Sequence, residues 1–218
     1  MAVMLPLDGS GNCVGLGVNT RVQYGRLNII EDGAQIADGV RIGSQCIIED
    51  GVSIGASTRI GHRVILKAGT IIGEQCDIAD GVMTTGPCRI GDHVNIRTGA
   101  VISKCTVLED WVFVGPNVVT NHTKHVRHGR EVKSEKLVTV IGYGSIVGSQ
   151  AAIVAGVFIC PVTVIGAAAL VVKNIEQPNG VYVGAPCERV AEVPDDMMML
   201  PPGNCGAQYV QDYERLIA

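Results

Sequence analysis

Aliphatic residues recur in this chain at every sixth position. From Ile30 the series runs through Ile36, Ile42, Ile48, Ile54, Ile60, Leu66, Ile72 and Ile78, then, past Thr84, through Ile90, Ile96, Ile102, Leu108 and Val114. Val18 and Tyr24 extend it backwards less cleanly. Four residues after each aliphatic stands a small or β-branched one, as at Val40, Cys46, Val52, Thr58, Val64, Thr70, Cys76 and Val82. A helix repeats at 3.6 and a plain strand at 2, so a period of six fits neither. A short strand, a turn and another short strand fit it. Three such hexads predict one triangular coil of 18 residues, with the aliphatic and small positions facing inward and successive coils stacked as parallel strands about 4.8 Å apart. The composition agrees: 47% of residues are hydrophobic, yet only 4% are aromatic, and a narrow prism has no room for rings at its corners. Glycine, at 28 of 218 residues, is abundant without a collagen-like period of three.

The code fails between Val118 and Ile141 and resumes at Ile141, Val147, Ile153, Ile159, Ile165 and Val171. The intervening TNHTKHVRHGREVKSEKLVT carries His122, His125 and His128, three of the five histidines, with Lys124, Arg127, Arg130, Lys133 and Lys136. A regular prism cannot hold such an insertion in its wall, so residues 120–140 are expected to protrude as a loop, and long loops in compact domains carry function or stay disordered. About 21 hexads, or seven coils, are countable, giving an all-β domain over residues 18–190. It follows an N-terminal segment at 1–17 and precedes a tail at 191–218. VKNIEQPNGVYVGAPCERV predicts a Pro-Asn-Gly turn and one last strand, PDDMMMLPPGNCG a linker, and YVQDYERLIA a short terminal helix.

With 17 basic and 21 acidic residues the formal charge is −4, which argues against broad nucleic-acid or membrane-surface binding. No apolar run reaches the roughly 18–20 residues that span a bilayer, and MAVMLPLDGSGNC lacks the basic and apolar regions of a secretory signal. The 8 cysteines show no CxxC and no compact spacing; Cys46, Cys76 and Cys88 fall on inward positions. They are expected to be reduced structural thiols of a cytoplasmic protein.

The repeat resembles that of the hexapeptide-repeat acyltransferases, over about residues 18–190. Three segments carry the resemblance further: EDWVFVGPNVVTNH is similar to the coil and loop start of sugar acetyltransferases, notably those acting on amino groups of nucleotide-linked sugars; IGYGSIVGSQAAIVAGVFI to the coils lining the coenzyme A groove; and VVKNIEQPNGVYVGAPCERV to the closing segment. In that segment Asn174 and Cys187-Glu188-Arg189 depart from the usual residues. The resemblance implies a left-handed parallel β-helix, although general crossover rules favour the other hand. It also implies acetyl-CoA as co-substrate, a sugar or nucleotide-sugar acceptor, and a homotrimer with sites between adjacent prisms. A loop histidine would serve as general base, since imidazole suits proton transfer near neutrality, and a backbone N–H would hold the oxyanion. His122, directly after Asn121 at the end of the last regular hexad, matches best, with His125 second; Asn121 and Asn117 would orient the acceptor or a histidine tautomer. Gly142, Ser149 and Ala167 would let the pantetheine arm lie close to backbone, and Lys173 and Arg189 would meet coenzyme A phosphates. No metal site is expected, and His62 and His93 are assigned no role.

Fold alone does not fix function. The galactoside- or xenobiotic-type O-acetyltransferases share the loop histidine. A γ-class carbonic anhydrase-like protein would share the prism, but needs three histidines around zinc, with one ligand about 35 and 40 residues before the others; His93 to His122 is 29 residues. A non-catalytic structural β-helix leaves the histidine-rich loop without a purpose.

Overall fold

The computed structural model describes residues 22–125, 128–129, 131 and 137–198 of the chain. The N-terminal segment, the expected terminal helix and part of the excursion lie outside the described residues. The remainder is a parallel β-helix of three sheets with 10, 8 and 7 strands, wound through about 8 turns, one more than the sequence count. We call the sheets the first face (Gln23–Tyr24 to Val164–Ile165, plus a closing hairpin), the second face (Ile29–Ile30 to Leu170–Val171) and the third face (Gln35–Ile36 to Phe158–Ile159). The chain visits them in that order. The first corner joins first face to second, the second corner joins second to third, and the third corner returns to the first.

Stacking follows the 18-residue coil: Gln23 pairs with Arg41 and Ile78 with Ile96. Most strands are only two residues long, with the second side chain pointing inward. Ile48, Ile54, Leu66, Ile78, Ile96, Ile102, Leu108, Ile141 and Ile153 are fully buried. Each such side chain contributes about 1.5–3 kcal/mol of hydrophobic stabilisation. Cys46, Cys76 and Cys88 take their inward places. Burial pushes their thiols up, to about 11 for Cys76 and about 12 for Cys88, so they are poor nucleophiles.

The corners turn by left-handed residues, many of them not glycine. On the third corner Gly39, Ser57, Gln75, His93, Trp111, Gly144, Val162 and Asn179 all have φ between 53° and 76°. An L-residue pays about 1–2 kcal/mol there. A hydrogen-bond ladder offsets it: the N–H groups of Gln75, His93, Trp111 and Gly144 each donate to a carbonyl of the preceding coil, at 2.9–3.0 Å.

Two hydroxyls sit where the code calls for an aliphatic. Thr84 and Thr120 are completely buried, and their Oγ1 atoms accept the backbone N–H groups of Lys67 and Ser103 at 2.8 Å and meet the hydroxyls of Thr70 and Thr106 at 2.8 and 3.1 Å. These donors have no strand partner, so threonine satisfies a buried backbone group that isoleucine would orphan.

The excursion leaves the wall inside the expected interval, but Thr120, Thr139 and Val140, read from the sequence as part of the loop, belong to strands because they pair with the neighbouring coils. Thr106 pairs with Thr139, 33 positions on instead of 18, so 15 extra residues loop out at the second corner. Where the chain returns, Val138 packs with Val107, Val140 and Phe158 on the outside of the third face. The end differs from the single strand expected after the Pro-Asn-Gly turn. Gly180–Gly184 pairs in parallel with Val164–Ile165, then turns back into the antiparallel strand Cys187–Glu192. That second strand caps the edge of the first face, which would otherwise present unpaired backbone. Among the described residues no helix is long and apolar enough to cross a membrane.

Candidate active site

The start of the loop is held by bonds to the two neighbouring coils. Ser103 Oγ donates to the Thr120 carbonyl at 2.5 Å, Ser103 N–H reaches the Thr120 hydroxyl, and Asn121 N–H donates to the Ile153 carbonyl at 2.8 Å. His122 therefore leaves a fixed backbone, and it is half-buried, whereas His125 is exposed further out. Asn121 points into solvent. Asn117 lies on the first corner at φ 55°, with its N–H bonded to the Thr98 carbonyl, a local reason for its identity.

The five residues expected at coenzyme A are distributed over the prism. Gly142, buried at the third corner, is required by stacking itself: a Cβ there would lie 2.5 Å from the Pro161 nitrogen. Ser149 and Ala167 are exposed on successive coils of the first corner, where Ser149 accepts from Ala168 N–H at 2.8 Å. Lys173 is exposed just past the last strand of the second face. Arg189 lies on the closing hairpin, where its guanidinium pairs with Glu192 at 3.5 Å. The two cations thus share one end of the prism but not one corner.

Two features escaped the sequence. Glu109 occupies the position after the aliphatic, where the neighbouring coils carry Gly73, Gly91 and Gly142. It is 7% exposed, and its carboxylate accepts the Tyr143 N–H at 2.7 Å. Burial pushes its pKa up, the Tyr143 hydrogen bond opposes this, and Asp110 adds to the rise. The other is a stack of His93 on Trp111 at the third corner, with ring centroids 4.2 Å apart and planes at 15°. A groove of about 660 Å³, lined in part by Tyr24, Arg41, Arg59, His62 and Asp80, opens at the opposite end of the prism from Lys173 and Arg189 and contains none of the expected site residues. Among the described residues no three of His, Cys, Asp and Glu converge as metal ligands would.

No protein-family model and no curated protein matches the sequence. Solved structures match the fold. The UDP-N-acetylglucosamine acyltransferase from Campylobacter jejuni aligns at 16% identity and a TM-score of 0.59, over 76% of this chain and 73% of that one. A second UDP-N-acetylglucosamine acyltransferase aligns at 16% identity and 0.65, over 77% of this chain and 66% of the other. LpxA from Acinetobacter baumannii aligns at 21% and 0.54, over 76% and 72%. In architecture the chain is therefore a hexapeptide-repeat left-handed β-helix, the hand that the resemblance implied and that general crossover rules would not have chosen.

Proposed function

We propose that this protein is an acyltransferase that moves an acetyl group from acetyl-CoA to an amine or hydroxyl of a sugar, most simply a nucleotide-linked amino sugar, with His122 as general base. The observation that carries the reading is the pinned start of the loop, where a half-buried imidazole projects from backbone fixed to the coils below and above it. Similarity of fold to enzymes described as UDP-N-acetylglucosamine acyltransferases supports the same class of chemistry.

In this reading the imidazole takes the acceptor's N–H or O–H proton as the nitrogen or oxygen attacks the thioester carbonyl. A backbone N–H holds the resulting oxyanion. Collapse breaks the C–S bond, and the departing thiolate takes the proton back from the imidazolium, leaving coenzyme A and the acylated sugar. Asn121 serves acceptor orientation, and His125, further along the same loop, is the second candidate for the base. Lys173 and Arg189 serve the phosphates of coenzyme A, whose arm passes Gly142, Ser149 and Ala167.

A homotrimer fits the exterior of the second face. Its outward residues Ile29, Ile47, Ile65, Met83, Val101 and Val119 are all apolar, and Ile29 and Val119 remain 41% and 37% exposed. His122 stands at the edge of that surface, so a neighbouring prism packed against it would close the site.

The test is a mass-shift screen of acetyl-CoA with a panel of nucleotide-linked amino sugars, followed by single substitutions. His122→Ala should lower kcat by about 10²–10⁴-fold with coenzyme A affinity nearly intact, and His128→Ala far less. Full kcat in His122→Ala would overturn the assignment. Sedimentation of the protein as a monomer at micromolar concentration would overturn the trimer.

A further inference from the structure

Flat side chains are rare here: one Trp and 2 Phe in the whole sequence. Trp111 and Phe113 are two residues apart, on either side of the inward Val112, so both face outward along one edge of the first face. Nothing in the fold asks for a ring at position 111. Equivalent rungs of the third corner carry Gly39, Ser57, Gln75 and Gly144, and a bulky residue at φ 62° is disfavoured there. The indole is nevertheless braced. His93 stacks beneath it at 4.2 Å, close to the spacing between coils, and fixes its plane. The next rung is Gly144, which brings no side chain, and among the described residues His93 makes the only recorded ring contact of Trp111. Trp111 keeps 40% of its surface in water.

The edge of this platform is polar in a specific way. Asn95 registers with Phe113 on one side and Asp77 on the other, and its Oδ1 is buried with no hydrogen-bond partner among the described residues. Leaving such an acceptor unpaired is costly, and a donor supplied from outside would recover that cost. Beyond it, Arg59 and Arg97 share the single carboxylate of Asp77 at 3.0 and 3.7 Å, so the trio carries one net positive charge while both guanidiniums stay partly exposed.

We infer that Trp111, backed by His93, is a stacking platform for the heterocycle of a nucleotide, with Asn95 accepting a donor on the ring and Arg59 and Arg97 facing its phosphates. This deepens the proposed acyl transfer and rests on that reading for the source of the nucleotide. Both co-substrates carry a base far from the reacting atom, the acceptor through its diphosphate and coenzyme A through its pantetheine arm. Either is consistent with a base site at the third corner and a proton-transfer group at the second. An aromatic platform holds a base through its face, so stacking alone tolerates either ring.

Because the chain has one tryptophan, its own emission is the probe. Uridine 5′-diphosphate, adenosine 5′-diphosphate and coenzyme A are titrated into the full-length protein, with ribose 5-phosphate and pyrophosphate as base-free controls. Saturable quenching by a base-bearing compound and not by the controls is the expected result. Quenching by the uridine compound alone assigns the platform to the acceptor, and quenching by the two adenine compounds assigns it to coenzyme A. By calorimetry Trp111→Ala should weaken the quenching nucleotide about 5- to 150-fold, whereas Trp111→Phe, which keeps a ring, should retain most of the affinity. No quenching by any of the three, equal quenching by ribose 5-phosphate, or unchanged affinity in Trp111→Ala would overturn the inference. His122→Ala should quench as the wild type does. Acyl transfer without an effect of Trp111→Ala would therefore sink the platform alone, and quenching without acyl transfer would sink the proposed reaction alone.

Discussion

Along the first face the early coils turn Gln23, Arg41, Arg59, Asp77 and Asn95 outward, and the later coils turn Phe113, Ile146, Val164 and Val181 outward. Inward, the same two regions are alike: Ile42, Ile60, Ile78 and Ile96 below, Val114, Val147 and Ile165 above, all buried. The interior repeats because every coil must fill the same narrow triangle at native packing density. The exterior has no such constraint, so its drift from charged to apolar carries the information that distinguishes this prism from any other. The change coincides with Trp111 and the start of the loop.

That comparison can be broken at the loop. Deleting residues 122–136 joins Asn121 to Leu137 and leaves three residues between Thr120 and Thr139, the same number that separates Ile102 from Thr106. The prism should keep its circular dichroism and melt within a few degrees of the parent, since loop-closure entropy changes slowly with length, while acyl transfer is lost entirely. A deleted protein that fails to fold would show that the excursion supports the upper coils. One that keeps transferring would remove the loop from the chemistry.

Equivalent interiors predict equivalent costs. Ile96→Ala and Ile165→Ala should each lose about 2–5 kcal/mol in urea unfolding. A loss under about 1 kcal/mol at Ile165 alone would mean that the upper core is looser than its burial implies. Two glutamates sharpen the contrast by pH. Glu49, in the lower coils, is held below the ordinary carboxylate range first by the Lys67 hydrogen bond. Its stabilisation is present above the unfolded-state value and fades as pH falls through the lowered one. Glu109 is pushed up by burial, so the folded chain binds its proton more tightly than the unfolded chain does. Stability therefore falls as pH rises from the ordinary glutamate value through the raised one. Glu109→Gln keeps an acceptor for the Tyr143 N–H and should gain on the wild type between pH 4 and 7. Glu49→Gln should lose ground on the wild type over a lower window, as pH rises from the lowered value to the ordinary glutamate value. Midpoints of urea unfolding against pH read both, and opposite signs would refute the environments described. The smallest effect belongs to the exposed surface: Arg59→Ala should cost about 0.2–1 kcal/mol, shrinking with added salt.

The period of six, read from the sequence alone, determines the coil of 18 residues, the inward places of Ile48, Leu66 and Cys76, and the interval between Val118 and Ile141 in which the wall opens. Those follow because steric filling acts on each hexad separately, and a local rule leaves a local trace. The excursion was legible for the same reason, as the stretch where the hexad code stops. Only the tertiary structure decided the rest. Thr84 reads as a lapse in the code, and Thr120 as the start of the loop, until Lys67 N–H and Ser103 N–H are found beneath them. The closing strand Cys187–Glu192 pairs antiparallel and carries no hexad signal. His93 and Trp111 are a coil apart, and Glu109 meets Tyr143 across the excursion, 34 positions on. The 18-residue period itself sets His93 beneath Trp111, and the structure adds the stacking of their rings. The meeting of Glu109 with Tyr143 depends on how many residues loop out between their coils. The loop's length is set by no period, so the register across it becomes visible only once the coils are stacked.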